Sequence, residues 1–183
     1  TERELLLEDQ RASKVVEEYL QENPSILERV DECPVCLDPI FDVHGAVTFP
    51  CCGKRMCQSC LAPLRATAKN TCPLCRGRFP CESERIRILR TKAEEGKAWA
   101  QCMLGKKYLY GWSGLAVDER RARSLFRKAA DQGYSGAQFC LGIFEGARDN
   151  YSEAWQLLEA AASQGNMNAL SSLGTHYYIG RVV

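Results

Sequence analysis

Eight cysteines between residues 33 and 75 fall into four pairs: Cys33-x2-Cys36, Cys51-Cys52, Cys57-x2-Cys60 and Cys72-x2-Cys75. Two residues between paired cysteines let one tight turn offer both sulfurs to one ion, and four thiolates close a structural Zn²⁺ site tetrahedrally. Eight ligands therefore predict two Zn²⁺ ions. Alternate pairs are separated by long stretches, which predicts an interleaved arrangement. Cys33, Cys36, Cys57 and Cys60 hold one zinc, and Cys51, Cys52, Cys72 and Cys75 hold the other. Adjacent ligands are geometrically tight, so His44 and Cys81 stand as alternative ligands to the Cys51–Cys52 pair. A segment of about forty residues is too small for a core of its own, so metal binding must supply much of its folding free energy.

Three regions must position and surround these ligands. Residues 1–32 read as a helix with an uneven apolar stripe of Leu5, Leu6, Val15, Val16, Tyr19 and Leu20. Pro24 ends it, because the residue before proline avoids the helical region. This helix either packs beside the cysteine module or serves as a dimerisation arm. Residues 33–81 form the zinc module, with a short strand expected over 46–49 and a helix over 58–69.

From residue 83 to the end, alanine, glycine, leucine and aromatics replace cysteine and proline, and the chain repeats itself. Shifted by 32 residues, Ala129, Ala130, Gln132, Gly133, Ala137, Leu141 and Gly142 fall on Ala161, Ala162, Gln164, Gly165, Ala169, Leu173 and Gly174. Shifted by 37, Gly96, Ala100, Gln101, Leu104 and Gly105 fall on Gly133, Ala137, Gln138, Leu141 and Gly142. A period in the thirties with helical patterning predicts an all-α solenoid of stacked helix pairs. Gly96, Gly133 and Gly165 suit left-handed helix ends. Gly105, Gly142 and Gly174 fall inside helices, where glycine costs about 1 kcal/mol against alanine and is expected to allow close helix approach. The expected organisation is a half-repeat directly joined to the zinc module, two full repeats and a truncated third. The bare apolar end and the missing initiator methionine suggest an excerpt of a longer repeat protein.

Two families come into view on these residues. The run CPVC…FPCCGKRMCQSC…TCPLCR resembles a RING finger, in an all-cysteine form with Lys54 where many members have histidine. Lysine holds its proton and has no lone pair to offer a metal. The run AQFCLGIFEG following RKAADQG resembles Sel1-like repeats, relatives of the tetratricopeptide repeat. Together they imply a small zinc-stapled α+β cross-brace module joined to a helix-pair solenoid. The RING resemblance implies ubiquitin transfer without a nucleophile of its own: the finger binds a ubiquitin-charged conjugating enzyme and holds it in its reactive conformation. It implies an apolar contact surface of Val35, Leu64, Pro73 and Leu74. Arg76 would bridge ubiquitin and the conjugating enzyme with its fixed guanidinium fork. The Sel1 resemblance implies a concave surface that recruits protein or peptide partners.

The plain alternative is a zinc-dependent adaptor without ligase activity, in which Pro34 and Pro73 stiffen metal turns, Leu64 is core and Arg76 neutralises thiolates. Nucleic-acid binding is a weaker reading. Arg76, Arg78, Arg85, Arg87, Arg90 and Lys92 cluster, but Glu82, Glu84, Glu94 and Glu95 interleave with them, and the formal net charge is only +1. Eight thiolates on two divalent ions would bring it to about −3. No apolar run approaches the ~18 residues of a membrane helix, and no signal peptide is evident. Paired cysteines beside long helical segments favour zinc in a reducing, intracellular compartment, cytoplasmic or nuclear. Of the three tryptophans, Trp99 and Trp155 read as core, and Trp112, in a glycine-flanked loop, as the candidate partner anchor. Cys102 and Cys140 read as inert core thiols.

Overall fold

The computed structural model describes residues 14, 17–18, 20–25, 32–38, 40, 47–67, 71–78 and 80–178. In the first region, Lys14, Glu17, Glu18, Leu20, Gln21 and Glu22 are helical, and the helix stops at Asn23, before Pro24. Leu20 packs against the core formed by the last repeats. The described end of this helix thus leans on the solenoid. Leu5, Leu6, Val15, Val16, Tyr19 and His44 lie outside the described residues.

The cysteine module is built on a two-stranded antiparallel ribbon, β1 (Val47–Thr48) and β2 (Arg55–Met56), with Val47 opposite Met56. Helix α1 (Gln58–Thr67) follows. The expected strand is shorter than 46–49 because Phe49 already belongs to the turn, accepting from Gly53 N at 2.7 Å and donating to Lys54 O at 2.9 Å. Its core is small: Cys33, Ile40, Phe49, Met56, Leu61 and Cys72. Two of these six are candidate metal ligands, so apolar packing and metal binding share the same interior.

The solenoid runs through α2 (Glu82–Glu94), α3 (Ala98–Tyr110), a 3₁₀ turn (Trp112–Gly114), α4 (Glu119–Ala130), α5 (Ser135–Gly146), α6 (Tyr151–Ala162) and α7 (Met167–Tyr178). Each helix packs on its neighbours in sequence. The recurring residues turn out to be the structural ones. Ala100, Ala137 and Ala169 are all fully buried, as are Ala129 and Ala161. Gly96, Gly133 and Gly165 have φ of +81°, +79° and +80°, and their amides bond Ala93, Ala130 and Ala162 carbonyls. The recurring glutamines interlock the units. Gln132 Nε2 donates to Gln101 Oε1 at 2.8 Å, and Gln164 Nε2 to Gln138 Oε1 at 2.7 Å.

Helices approach closely where the interior glycines lie. A Cβ on Gly105 would stand 2.6 Å from Phe126 Cε1, and one on Gly142 3.0 Å from Leu158 Cγ. Trp99 and Trp155 pack partly buried against the two solenoid cores, whereas Trp112 is 54% exposed and stacks on Tyr110 with ring centres 4.7 Å apart. Cys102 is buried in the first core.

One carboxylate is buried in the repeats. Glu145, with 3% of its side chain exposed, accepts from Arg123 Nε at 2.6 Å and faces Arg127 at 3.5 Å. The hydrogen bond from Arg123 holds its carboxyl below the usual range against the opposing effect of burial. A lowered folded pKa means stability that is present above the unfolded value and lost as pH falls through the folded one. Replacing Glu145 by glutamine is expected to cost about 2 kcal/mol at neutral pH. It should also flatten the acid limb of the thermal-melting profile between about pH 5 and pH 3. A parallel pH dependence in variant and wild type would contradict this.

The two modules are in contact. Trp99, near the start of α3, covers Gly53 in the turn between β1 and β2, where φ is +73°. A Cβ at Gly53 would lie 2.5 Å from Trp99 Cε2, so only glycine fits both the backbone conformation and the indole. Nearby, Ser113 Oγ donates to Glu82 Oε1 at 2.7 Å and Lys107 Nζ donates to Ser113 Oγ at 2.6 Å, tying the long inter-helix loop to the start of α2.

Candidate metal centre

Four short turns deliver the eight sulfurs. In the first, Cys33 N donates to Asp38 O at 2.9 Å and Leu37 N to Cys33 O at 2.8 Å. The last repeats this pattern: Cys72 N donates to Gly77 O at 2.8 Å and Arg76 N to Cys72 O at 2.9 Å. Both place the residue after the second cysteine in the left-handed region, Leu37 at φ +63° and Arg76 at φ +58°. Non-glycine residues bear that conformation only when the surrounding turn over-determines it. The second pair sits in the β1–β2 turn, and Cys60 sits in the first turn of α1 with its amide 3.4 Å from Cys57 Sγ.

The sulfurs gather into two groups: Cys33 with Cys36, Cys57 and Cys60, and Cys51 with Cys52, Cys72 and Cys75. Within each group all four lie within 4.8 Å of one another. The first and third pairs meet, as do the second and fourth. Cys36 and Cys57 sulfurs are 3.8 Å apart and those of Cys51 and Cys75 3.6 Å. A tetrahedron with zinc–sulfur bonds of about 2.3 Å has edges of about 3.8 Å, so a zinc ion fits the spacing. A disulfide does not, since it needs about 2.05 Å, and none of the eleven cysteines is disulfide-bonded. Cys51 and Cys52 both join the second group, while Cys81 is exposed at the start of α2 with its sulfur 3.3 Å from Ser83 Oγ.

The electrostatics of these groups point the same way. Burial and contact with Cys72 and Cys75 push the Cys51 thiol well above its usual range, and burial raises Cys52. Contact with Cys57 raises Cys60. At Cys33 burial opposes ionisation, but the amides of Cys36, Cys57 and Val35 outweigh it and bring the thiol down to about 6. The Gly77 amide lowers Cys75. Crowding thus raises some of these thiols and backbone amides lower others, and a divalent cation among four sulfurs would favour their ionised forms.

Comparison with known proteins adds the families. Residues 31–76 match the Ring finger domain, and residues 100–134 and 135–166 match the Sel1 repeat. The chain carries a RING finger followed by Sel1 repeats. Over 70 residues it is 34% identical to "General negative regulator of transcription subunit 4" of Saccharomyces cerevisiae, covering 37% of this chain and 11% of that protein. The crystal structure of a Sel1 repeat protein from Oxalobacter formigenes is similar, with a TM-score of 0.52 and 28% identity over 57% of this chain and 44% of that one. This chain therefore spans less than half the length of either relative.

Around the RING finger's turns, the residues singled out for conjugating-enzyme contact take different positions. Val35 is 54% exposed and Arg76 is exposed. Leu64, Pro73 and Leu74 are half-buried, and Leu64 and Leu74 pack against the finger's core. Leu64 and Pro73 line a groove of 590 Å³ between the finger and the repeats, which Val35, Leu74 and Arg76 do not line. Leu37, not among the residues singled out from the sequence, is 69% exposed beside Val35. The signal was available: Leu37 holds in the first turn the place Arg76 holds in the last. Among the described residues, no helix is long and apolar enough to cross a membrane.

Proposed function

We propose that this chain acts as a RING-type E3 ubiquitin ligase. Its finger binds a ubiquitin-charged conjugating enzyme and its Sel1 repeats recruit protein partners. The observation that supports this best is the pair of interleaved thiol quartets beneath exposed Val35, Leu37 and Arg76. Cys33, Cys36, Cys57 and Cys60 would hold one Zn²⁺, and Cys51, Cys52, Cys72 and Cys75 the second. Zinc supplies rigidity here and takes no part in transfer.

The transfer itself needs no nucleophile from this chain. Val35, Leu64, Pro73 and Leu74 form the apolar contact with the conjugating enzyme, assisted by Leu37. Arg76 donates hydrogen bonds that bridge ubiquitin and the conjugating enzyme. Its backbone is fixed by the turn, so its guanidinium is presented from a rigid base and little ordering remains for the complex. Acceleration comes from orienting the thioester toward the incoming amine. The unoxidised cysteines accord with a cytoplasmic or nuclear setting.

An adaptor role without ligase activity is favoured by one observation, that Leu64 and Leu74 pack partly against the finger's own core. A discharge assay with zinc-loaded protein and charged conjugating enzymes separates the two readings. Acceleration is expected with at least one conjugating enzyme, and its absence with all of them supports the adaptor. Arg76→Ala is expected to leave melting unchanged and to slow discharge on the order of tenfold, the value of a lost charge-assisted hydrogen bond. Unchanged discharge would return Arg76 to charge balance.

A further inference from the structure

The groove between the RING finger and the first Sel1 repeats carries charge of one sign. Phe49, Leu61 and Leu64 line it from the finger, Leu89 and Met103 from α2 and α3. Among the described lining residues the charged ones are Arg78, Arg85 and Lys107, and the nearest carboxylate, Glu82, reaches Lys107 only through Ser113 at the groove's edge. Arg85 Nε is buried and has no hydrogen-bond partner among the described residues, and a buried unmet donor costs about 1–3 kcal/mol. Burial pulls the Lys107 ammonium below the usual lysine range, and the Arg85 guanidinium adds to this while Glu82 opposes it. Two cations thus crowd one apolar cleft, one with a donor that no group among the described residues satisfies.

On the outer face of α2, Arg87 pairs with Glu84 at 3.9 Å and Lys92 with Glu95 at 2.6 Å. Nucleic acid is recognised by a broad cationic face, and this helix does not offer one. An apolar floor with a cationic rim, in the size range of ligand sites, suits a short chain that carries both an apolar side chain and carboxylates.

We propose that this groove binds an acidic peptide segment of a partner protein. One apolar side chain packs on the half-buried Val47 and Met103, and flanking carboxylates accept from Arg85, Lys107 and Arg78. The proposal goes beyond the ligase reading and its test uses no ubiquitin transfer, so either can fail without the other.

The probe is a fluorescein-labelled hexapeptide of two leucines flanked on each side by two aspartates, read by fluorescence anisotropy on the zinc-loaded chain. Binding is expected to weaken as salt rises, because the contacts are charged. A counterpart with lysines replacing the aspartates should bind at least about tenfold more weakly. Arg85→Met should weaken the acidic peptide about tenfold or more, and Arg78→Met and Lys107→Met about threefold or more. All three should stay folded, Arg85→Met melting at or above wild type because the unmet donor is gone, and Lys107→Met slightly below it because its bond to Ser113 is lost. Each methionine retains an apolar stem, so loss of binding reports charge rather than packing. Equal affinity for the two peptides, unchanged affinity in Arg85→Met and Lys107→Met, or no binding by folded wild type at about 1 mM peptide would each overturn the assignment.

Discussion

Cys33→Ser is expected to unfold the RING finger while the Sel1 repeats remain helical. Cys33 is fully buried and belongs both to the finger's apolar core and to a thiol quartet. The substitution therefore removes a ligand and a core contact at once. Structural zinc supplies about 10–16 kcal/mol in small domains, more than a module of this size retains as net stability. Metal analysis should fall from two equivalents to one or fewer, and a chelator should reproduce the variant in the wild type. The repeats should keep most of their far-ultraviolet helical signal, because solenoid units draw stability from their neighbours. Their melting temperature should drop by a few degrees, since Trp99 loses its cover on Gly53. Loss of the whole helical signal would show that the repeats depend on the finger for folding.

The second large effect belongs to the first interior glycine. Phe126 is fully buried, and its ring fills the space a side chain at position 105 would need. Phe126→Ala is expected to cost about 4 kcal/mol through the cavity it leaves. Gly105→Ala is expected to cost about 2 kcal/mol, because a methyl 2.6 Å from the ring forces α3 and α4 apart. The double variant should cost clearly less than the sum, since the absent ring makes room for the methyl. Denaturant melts of the four proteins measure this coupling. Strict additivity would mean that the glycine serves some purpose other than helix approach.

Much of the chemistry was legible in the chain itself. Cysteine spacing is a local property: two residues between cysteines define a turn, and alternation of the pairs foretold which turns bring their sulfurs together. The left-handed glycines 96, 133 and 165 and the buried alanines 100, 137 and 169 were legible for the same reason. Each recurs at a fixed interval because each solves the same packing problem in successive units. Even the paired glutamines were visible as repeats, although their bond to one another was not.

Contacts between distant segments were not legible. Nothing local marks Gly53 as the seat of Trp99, Leu20 as a cover for the last repeats, or Glu145 as the buried partner of Arg123 and Arg127. The placing of Leu64 and Pro73 in a groove whose other wall is α2 and α3 is of the same kind. So is the gathering of Arg78, Arg85 and Lys107 in one cleft. Periodicity and metal spacing follow from backbone geometry over a few residues, and the amino-acid order fixes them directly. Which faces then meet depends on the angle at which one folded module lies against the next, and that angle is set by the summed packing of side chains far apart in the chain.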